Sequence, residues 1–319
     1  MNPHEQKLVK CILLSACILL LIPCLGVAGG QKEPALVVFG DSLSDSGNFH
    51  ANTGQFSLRP YDLIPAAPYA RGGFHFSNGS TWVEQLAKRL ADPQSTKPSL
   101  RSPRVFTNYA YGTARSRPGT SGFDLGSQVS MFLTDFGNQA PRGTTYVIWT
   151  GGNDVRDALG ALQLDPSGAT SGGILQAAVT ATVDNMIALY GSGARNFLVA
   201  NAPNIGLTPA VRALGPQAQG AALQLSVLYN QGLSQALDGL SALPDTRINR
   251  LDVFAILTDL VADPASAGLS NATDACITPG VVAGAICDKP QDYLFWDGIH
   301  PTRAAHRQIA EAALANLTE

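Results

Sequence analysis

Short continuous apolar runs recur along the chain, separated by longer segments in which apolar residues return every three or four positions. The runs are Ala35-Leu36-Val37-Val38-Phe39, Thr145-Tyr146-Val147-Ile148-Trp149 and Asn196-Phe197-Leu198-Val199-Ala200, and two further strands, of mixed polar and apolar residues, are expected at Val105 to Tyr109 and Arg247 to Val253. Runs of this length without polar alternation are expected of strands buried on both faces of a parallel sheet. The periodic segments predict helices. One opens at Trp82-Val83-Glu84-Gln85-Leu86 behind an N-cap at Ser80 or Thr81, and others cover Gly126–Phe136, 172–190, Gln217–Leu240, Phe254–Val261 and Thr302–Leu317. Strands alternating with helices predict an α/β fold, a three-layer α/β/α sandwich around a central, mostly parallel, five-stranded sheet. No internal repeat or low-complexity tract interrupts it, so residues 29–319 read as a single domain.

One segment fits neither pattern. From Phe49 to Gly79 the chain is rich in Pro, Gly and aromatics, among them Pro60, Tyr61, Pro65, Pro68, Tyr69 and Phe74. These side chains either line a substrate groove or tie down a long loop.

The first residues read as a leader. Lys7 and Lys10 precede an apolar stretch from Cys11 to Leu25 that ends in the small residues Gly26-Val27-Ala28, so residues 1–28 are expected to be a signal peptide. The continuous run, broken by Pro23, is short for a membrane span. A lipid-anchoring alternative rests on Leu14-Ser15-Ala16-Cys17, which lies early and is followed by more apolar residues. Export leaves Cys276 and Cys287, a pair that most simply forms a disulfide. Closing so short a loop would stabilise the fold by about 3 kcal/mol. Two buried free thiols are the alternative, and no His or Cys cluster accompanies them to suggest a metal.

Of 319 residues, 45% are hydrophobic and 14% charged, with net charge −3 and pI near 5.9, which is the balance of a folded globular chain. With no Lys or Arg run, nucleic acid is an unpromising partner.

Candidate chemistry gathers at the strand ends. The first strand runs into Phe39-Gly40-Asp41-Ser42-Leu43-Ser44-Asp45-Ser46-Gly47-Asn48, where a serine on a tight turn can be presented as a nucleophile. A base is needed, and beyond the leader there are four histidines: His50, His75, His300 and His306. His300 follows Asp297 by three residues in a short loop, so the carboxylate can hold Nδ1–H while Nε2 takes the serine proton. His306 is expected on the surface of the last helix, and His50 and His75 in the long loop, in substrate contact or solvent. Asp45 and Asp154 are expected to accept hydrogen bonds from turn backbone. The Asn153 carboxamide in Gly152-Asn153-Asp154 is positioned to donate to an oxyanion, as are backbone N–H groups at Gly112 and Ser42. Gly-x-Ser-x-Gly, His-Glu-x-x-His and Walker motifs are absent.

In order, the Ser42 block, Asn108-Tyr109-Ala110-Tyr111-Gly112, Gly152-Asn153-Asp154 and Asp297-Gly298-Ile299-His300 resemble the four blocks of the GDSL (SGNH) family of serine esterases and lipases, over residues 35 to 304. The segment Phe76-Ser77-Asn78-Gly79 leading into Trp82 is also similar. The resemblance implies a flavodoxin-like fold, a Ser42–His300–Asp297 triad, and an oxyanion hole completed by Gly112 and Asn153, without a cofactor or metal. Relatives commonly carry two adjacent glycines where this chain has Gly112-Thr113, so either N–H is a candidate donor, with Gly112 preferred. The Cys276–Cys287 loop resembles one that precedes the Asp-x-x-His block in exported relatives.

The function implied is that of the bacterial-type secreted lipase, lysophospholipase or acyltransferase branch: a carboxylic-ester hydrolase working through an acyl-serine, extracellular or periplasmic, on an acyl ester or lipid, with peripheral membrane contact. The alternatives are a carbohydrate O-acetylesterase and an inactive binding module on the same scaffold. Oligomeric state is not legible.

Overall fold

The computed structural model describes residues 33–119 and 122–318; the expected leader, residues 1–28, lies outside them. In chain order the elements are β1 (Leu36–Gly40), α1 (Asn48–Thr53), α2 (Trp82–Arg89), α3 (Leu125–Asp135), β2 (Thr145–Trp149), α4 (Gly152–Ala161), α5 (Ala169–Gly191), β3 (Asn196–Ala200), α6 (Pro209–Arg212), α7 (Pro216–Leu240), β4 (Arg247–Leu251), α8 (Val253–Ala262), β5 (Asn271–Ala275), β6 (Tyr293–Phe295) and α9 (Arg303–Thr318).

Strands β1 to β4 form one parallel sheet in the order β1-β2-β3-β4, in register from Leu36↔Thr145 through Thr145↔Asn196 to Asn196↔Arg247. Side chains on a strand point alternately to opposite faces. Val37 and Phe39 of β1, Tyr146 and Ile148 of β2, and Phe197 and Val199 of β3 enter one core with α3, α4, α5 and α7. Leu36, Val38, Val147, Trp149, Leu198 and Ala200 enter the other, with α2, α8 and α9. Two cores on two faces make the three layers. Within the first, Phe132 of α3 stands edge-on to both Phe39 and Tyr109 with its ring fully buried. Truncating such a ring to Ala costs about 3–5 kcal/mol.

The strand expected at 105–109 is displaced and shortened. Val105 is 51% exposed, and pairing with β1 starts two residues later: Val38 N–H donates to Thr107 O, Tyr109 N–H to Val38 O and Tyr111 N–H to Gly40 O. Asn108 is also bridged to Pro98 on its other side, which breaks the regular ladder. This segment lies across β1 from β2, so the chain leaves β1 in one direction and returns on the other. Ligands bind at such a switch point, beyond the carboxyl ends of the strands.

Helix α4 was not foreshadowed by an apolar period, and it begins directly where β2 ends. Helix α2 opens on a reciprocal cap: the Thr81 side chain accepts from the Glu84 backbone, and the Glu84 carboxylate accepts from Thr81 N–H at 2.8 Å. Among the described residues no helix is long and apolar enough to cross a membrane.

Candidate active site

The turn after β1 is built to present one hydroxyl. Asp41 O accepts from Ser44 N–H at 3.1 Å and Asp45 N–H at 3.0 Å, while Asp41 Oδ1 accepts from Leu43 N–H at 3.0 Å. A Cβ on Gly40 would stand 3.0 Å from both Trp149 O and Ser44 Cβ, so a larger residue would crowd the turn. The Gln128 carboxamide, from α3, clamps Gly40 on both sides, accepting from its N–H at 2.9 Å and donating to its carbonyl at 2.8 Å. Ser42 is thereby fixed at the floor of the switch-point recess.

The loop between β6 and α9 brings the other two groups to it. His300 Nε2 lies 2.9 Å from Ser42 Oγ, and His300 Nδ1 lies 2.6 Å from Asp297 Oδ2. Asp297 Oδ1 accepts the backbone N–H groups of Ile299 and His300 at 2.8 and 2.7 Å. Asp297 Oδ2 also accepts a 2.8 Å hydrogen bond from Tyr69 Oη, in the long aromatic loop. Asp297 and His300 are buried, and Ser42 keeps 6% of its surface exposed. Burial, then the Asp297 charge, push the Tyr69 phenol's pKa up, so it remains a donor.

Asn153, in the first turn of α4, donates one Nδ2–H to Ala114 O at 2.8 Å, which orients the carboxamide and, among the described residues, leaves its second hydrogen uncommitted. Gly112 does not have a free donor. Its N–H gives a 2.8 Å hydrogen bond to Asp45 Oδ2, and the same carboxylate takes the N–H groups of Gly47, Asn48 and Phe49. A buried carboxylate has to be satisfied in this way, and burial, partly offset by these donors, raises its pKa. The expectation that Gly112 donates to an oxyanion is therefore corrected. Gly112 is required for another reason: a Cβ there would run into the Phe76 ring. The next residue, Thr113, has φ 71°, a conformation that turns the chain sharply.

Asp45 and Asp154 thus bond turn backbone, Asp154 through Ser116 N–H at 2.8 Å. Burial pushes Asp41 and Asp154 up to about 6. His50 stacks on Phe74 with ring centroids 4.3 Å apart. His75 is half-buried and ion-paired with Glu84 at 2.7 Å. His306 is the clear correction: it is fully buried, neither ring nitrogen has a hydrogen-bond partner among the described residues, and burial depresses its pKa to about 3. Cys276 and Cys287 are joined in a disulfide, and Cys276 and Ile277 N–H groups bond Phe295 O and Trp296 O, directly before Asp297.

Two cavities adjoin one another beside the serine. One, lined by Asp41, Ser42, Gly152, Asn153, Arg156, Ile205, Val211 and His300, shares Leu43, Pro203, Thr208 and Ile299 with the second. The second is otherwise walled by apolar residues including Trp149, Val253, Ile256, Leu257, Leu260 and Leu294. Among the described residues there is no group of three or more His, Cys, Asp or Glu placed to hold a metal ion.

Two Arabidopsis thaliana proteins described as GDSL esterase/lipases are each 28% identical to this chain, over 91% of it and 90% of the relative in one case, and 90% and 83% in the other. An inactive GDSL esterase/lipase-like protein of the same plant is 27% identical over 86% of this chain and 69% of its own. Among solved structures, a catalytic mutant of an acetylxylan esterase from Geobacillus stearothermophilus aligns over 90% of this chain and 95% of its own, with TM-score 0.46 and 14% identity. An extracellular lipase from Streptomyces rimosus aligns over 89% and 98%, with TM-score 0.43 and 15% identity. The GDSL-like lipase/acylhydrolase family model matches residues 36–313, nearly all of the described fold and every block named above, and the chain belongs to that family.

Proposed function

We propose that Ser42, His300 and Asp297 are the triad with which this chain carries out the ester hydrolysis of its family, and that its substrates carry an extended acyl chain. The observation that carries the first part is the continuous line of hydrogen bonds from Ser42 Oγ through both His300 nitrogens to Asp297. As Ser42 Oγ attacks the ester carbon, its proton passes to His300 Nε2. Asp297 holds the opposite N–H and stabilises the imidazolium that forms. The alcohol leaves with that proton, and water then cleaves the acyl-serine by the same steps in reverse roles. An alcohol in place of water would make the reaction an acyl transfer through the same residues.

Charge on the carbonyl oxygen needs donors already in place. The uncommitted Asn153 Nδ2–H and the Ser42 N–H are two, and the Thr113 N–H replaces Gly112 as the third. One such donor is worth about 3–4 kcal/mol in the transition state.

The apolar second cavity supports the acyl reading, because it adjoins the serine recess along Leu43, Pro203, Thr208 and Ile299 and offers a tail almost no polar partner. Each CH₂ it takes from water contributes about 0.8 kcal/mol. Export is part of the same reading, resting on residues 1–28 and on a disulfide suited to an oxidising compartment.

The test is hydrolysis of nitrophenyl esters from acetate to palmitate by wild type and Ser42→Ala. The expected result is kcat/KM rising with chain length and vanishing in the variant. Turnover confined to acetate would return the cavity to packing and favour an O-acetylesterase, and wild-type turnover by Ser42→Ala would overturn the triad.

A further inference from the structure

Arg156 stands one helical turn after Asn153 on α4, the i, i+3 spacing that puts two side chains on one face. It lines the same recess as Ser42 and His300. The guanidinium is half-buried, and among the described residues it makes no hydrogen bond and no ion pair. It feels the charges of Asp157, Asp41 and Asp297 without bonding any of them, and most of the carboxylate oxygens around it are taken by other groups. Asp157 is held by Arg115 at 2.6 and 3.0 Å and by Arg117. Asp154 takes Ser116 N–H and Arg117, Asp297 takes His300 and Tyr69, and Asp41 Oδ1 takes Leu43 N–H. A guanidinium partly withdrawn from water and left without a fork-shaped partner is costly to keep. It is also what bidentate recognition of a phosphate or carboxylate requires.

The two cavities assign its side of the substrate. Arg156, Asn153 and Gly152 line the recess and not the apolar chamber, the two meeting at Leu43 and Ile299. With the acyl tail in the chamber and the ester carbon at Ser42, the alcohol half of the ester lies in the recess with Arg156. We propose that Arg156 is an anion-recognition residue, and that the preferred ester carries a phosphate or carboxylate in its alcohol half, within a few bonds of the scissile oxygen. This rests on the ester-hydrolase reading above.

The test compares kcat/KM for 1-octanoylglycerol 3-phosphate, the octanoyl ester of glycolic acid and neutral 1-octanoylglycerol, in wild type, Arg156→Gln and Arg156→Lys. The expected result is an anionic-to-neutral ratio that falls about 10- to 100-fold in Arg156→Gln, the range of one charge-assisted hydrogen-bonded pair. Arg156→Lys keeps the charge without the fork and falls between. The larger fall, for the phosphate or the carboxylate ester, names the source of the anion. Arg156→Gln is also expected to unfold at or above the wild-type temperature, since an unpaired charge is removed. An active wild type with the same ratio in Arg156→Gln overturns the assignment, as does a lowered unfolding temperature with that ratio unchanged, which would make Arg156 structural. A wild type inactive on all three esters would instead sink the hydrolase reading, and this one with it.

Discussion

Tyr69 Oη and His300 Nδ1 meet on one atom, Asp297 Oδ2, at 2.8 and 2.6 Å. Tyr69 lies 228 positions from that carboxylate in sequence and is buried edge-on against Trp296. Its hydrogen bond holds Asp297 in the rotamer that faces the imidazole. Tyr69→Phe keeps the ring packing and removes the donor, and hydrogen bonds to charged groups contribute about 1.5–3 kcal/mol. The expected outcome is a fall in kcat of about tenfold or more with KM little changed. Steady-state kinetics check it, and wild-type kcat would reduce Tyr69 to a packing residue.

That partnership shows where the sequence stops being readable. Tyr69 stood out only as one aromatic among several in a long loop, because nothing local marks a contact made across the fold. The strands were legible wherever five apolar residues ran together, and Leu36–Gly40, Thr145–Trp149 and Asn196–Ala200 fall within a residue of expectation. The run at 105–109 misled because Val105 and Phe106 are not held against β1, whereas Thr107 is buried and paired. Helix α4 was missed since Gly152-Asn153-Asp154 reads as a turn, and Asp154, Arg156 and Asp157 blur any apolar stripe. Triad and Asn153 blocks are adjacent in sequence to the strand ends that place them, so their neighbourhood was visible. The commitment of Gly112 to Asp45 was not, because it depends on a carboxylate 67 positions away.

Thr113 has φ 71°, where a β-branched residue is strained by about 1–2 kcal/mol and glycine is not. Thr113→Gly keeps the backbone N–H proposed as an oxyanion donor. After the larger chain entropy of glycine is subtracted, a net stabilisation of about 0.5–1 kcal/mol remains. The expected outcome is a higher urea midpoint with kcat within a few-fold of wild type. A large loss of kcat would show that the threonine side chain, not its backbone, serves the site.

Ile256 lines the apolar chamber from α8 and is only partly buried. Ile256→Trp adds a bicyclic ring to that wall and shortens the space for a tail. With about 0.8 kcal/mol per excluded CH₂, losing room for two or three carbons lowers the palmitate-to-acetate ratio of kcat/KM by roughly 10- to 50-fold. Nitrophenyl ester kinetics measure the ratio. An unchanged ratio would place the acyl chain outside this chamber.

His306 repeats on α9 with Ile309, Ala310 and Ala313, all buried, so it belongs to the helix's inward stripe despite Arg303 and Arg307 beside it. Its ring nitrogens have no partner among the described residues, and burial, with the nearby His75 and His300 adding to it, depresses the pKa from 6.5 to about 3. The sign follows from which state binds the proton. Below pH 6.5 the unfolded chain protonates this ring, while the folded chain does not until about pH 3. Stability tied to His306 is therefore complete above 6.5 and lost as pH falls toward 3. At two units below 6.5 the loss is about 2–3 kcal/mol. Asp41 and Asp154, raised to about 6, act in the opposite direction, but they are common to both proteins and cancel in a comparison. His306→Leu removes the titrating ring at similar volume. The expected outcome is a stability advantage of the variant over wild type that is larger at pH 4.5 than at pH 7.5 by about 2–3 kcal/mol, read from urea unfolding at both. A constant difference between the two pH values would mean that His306 takes up its proton in the folded state as readily as in the unfolded chain.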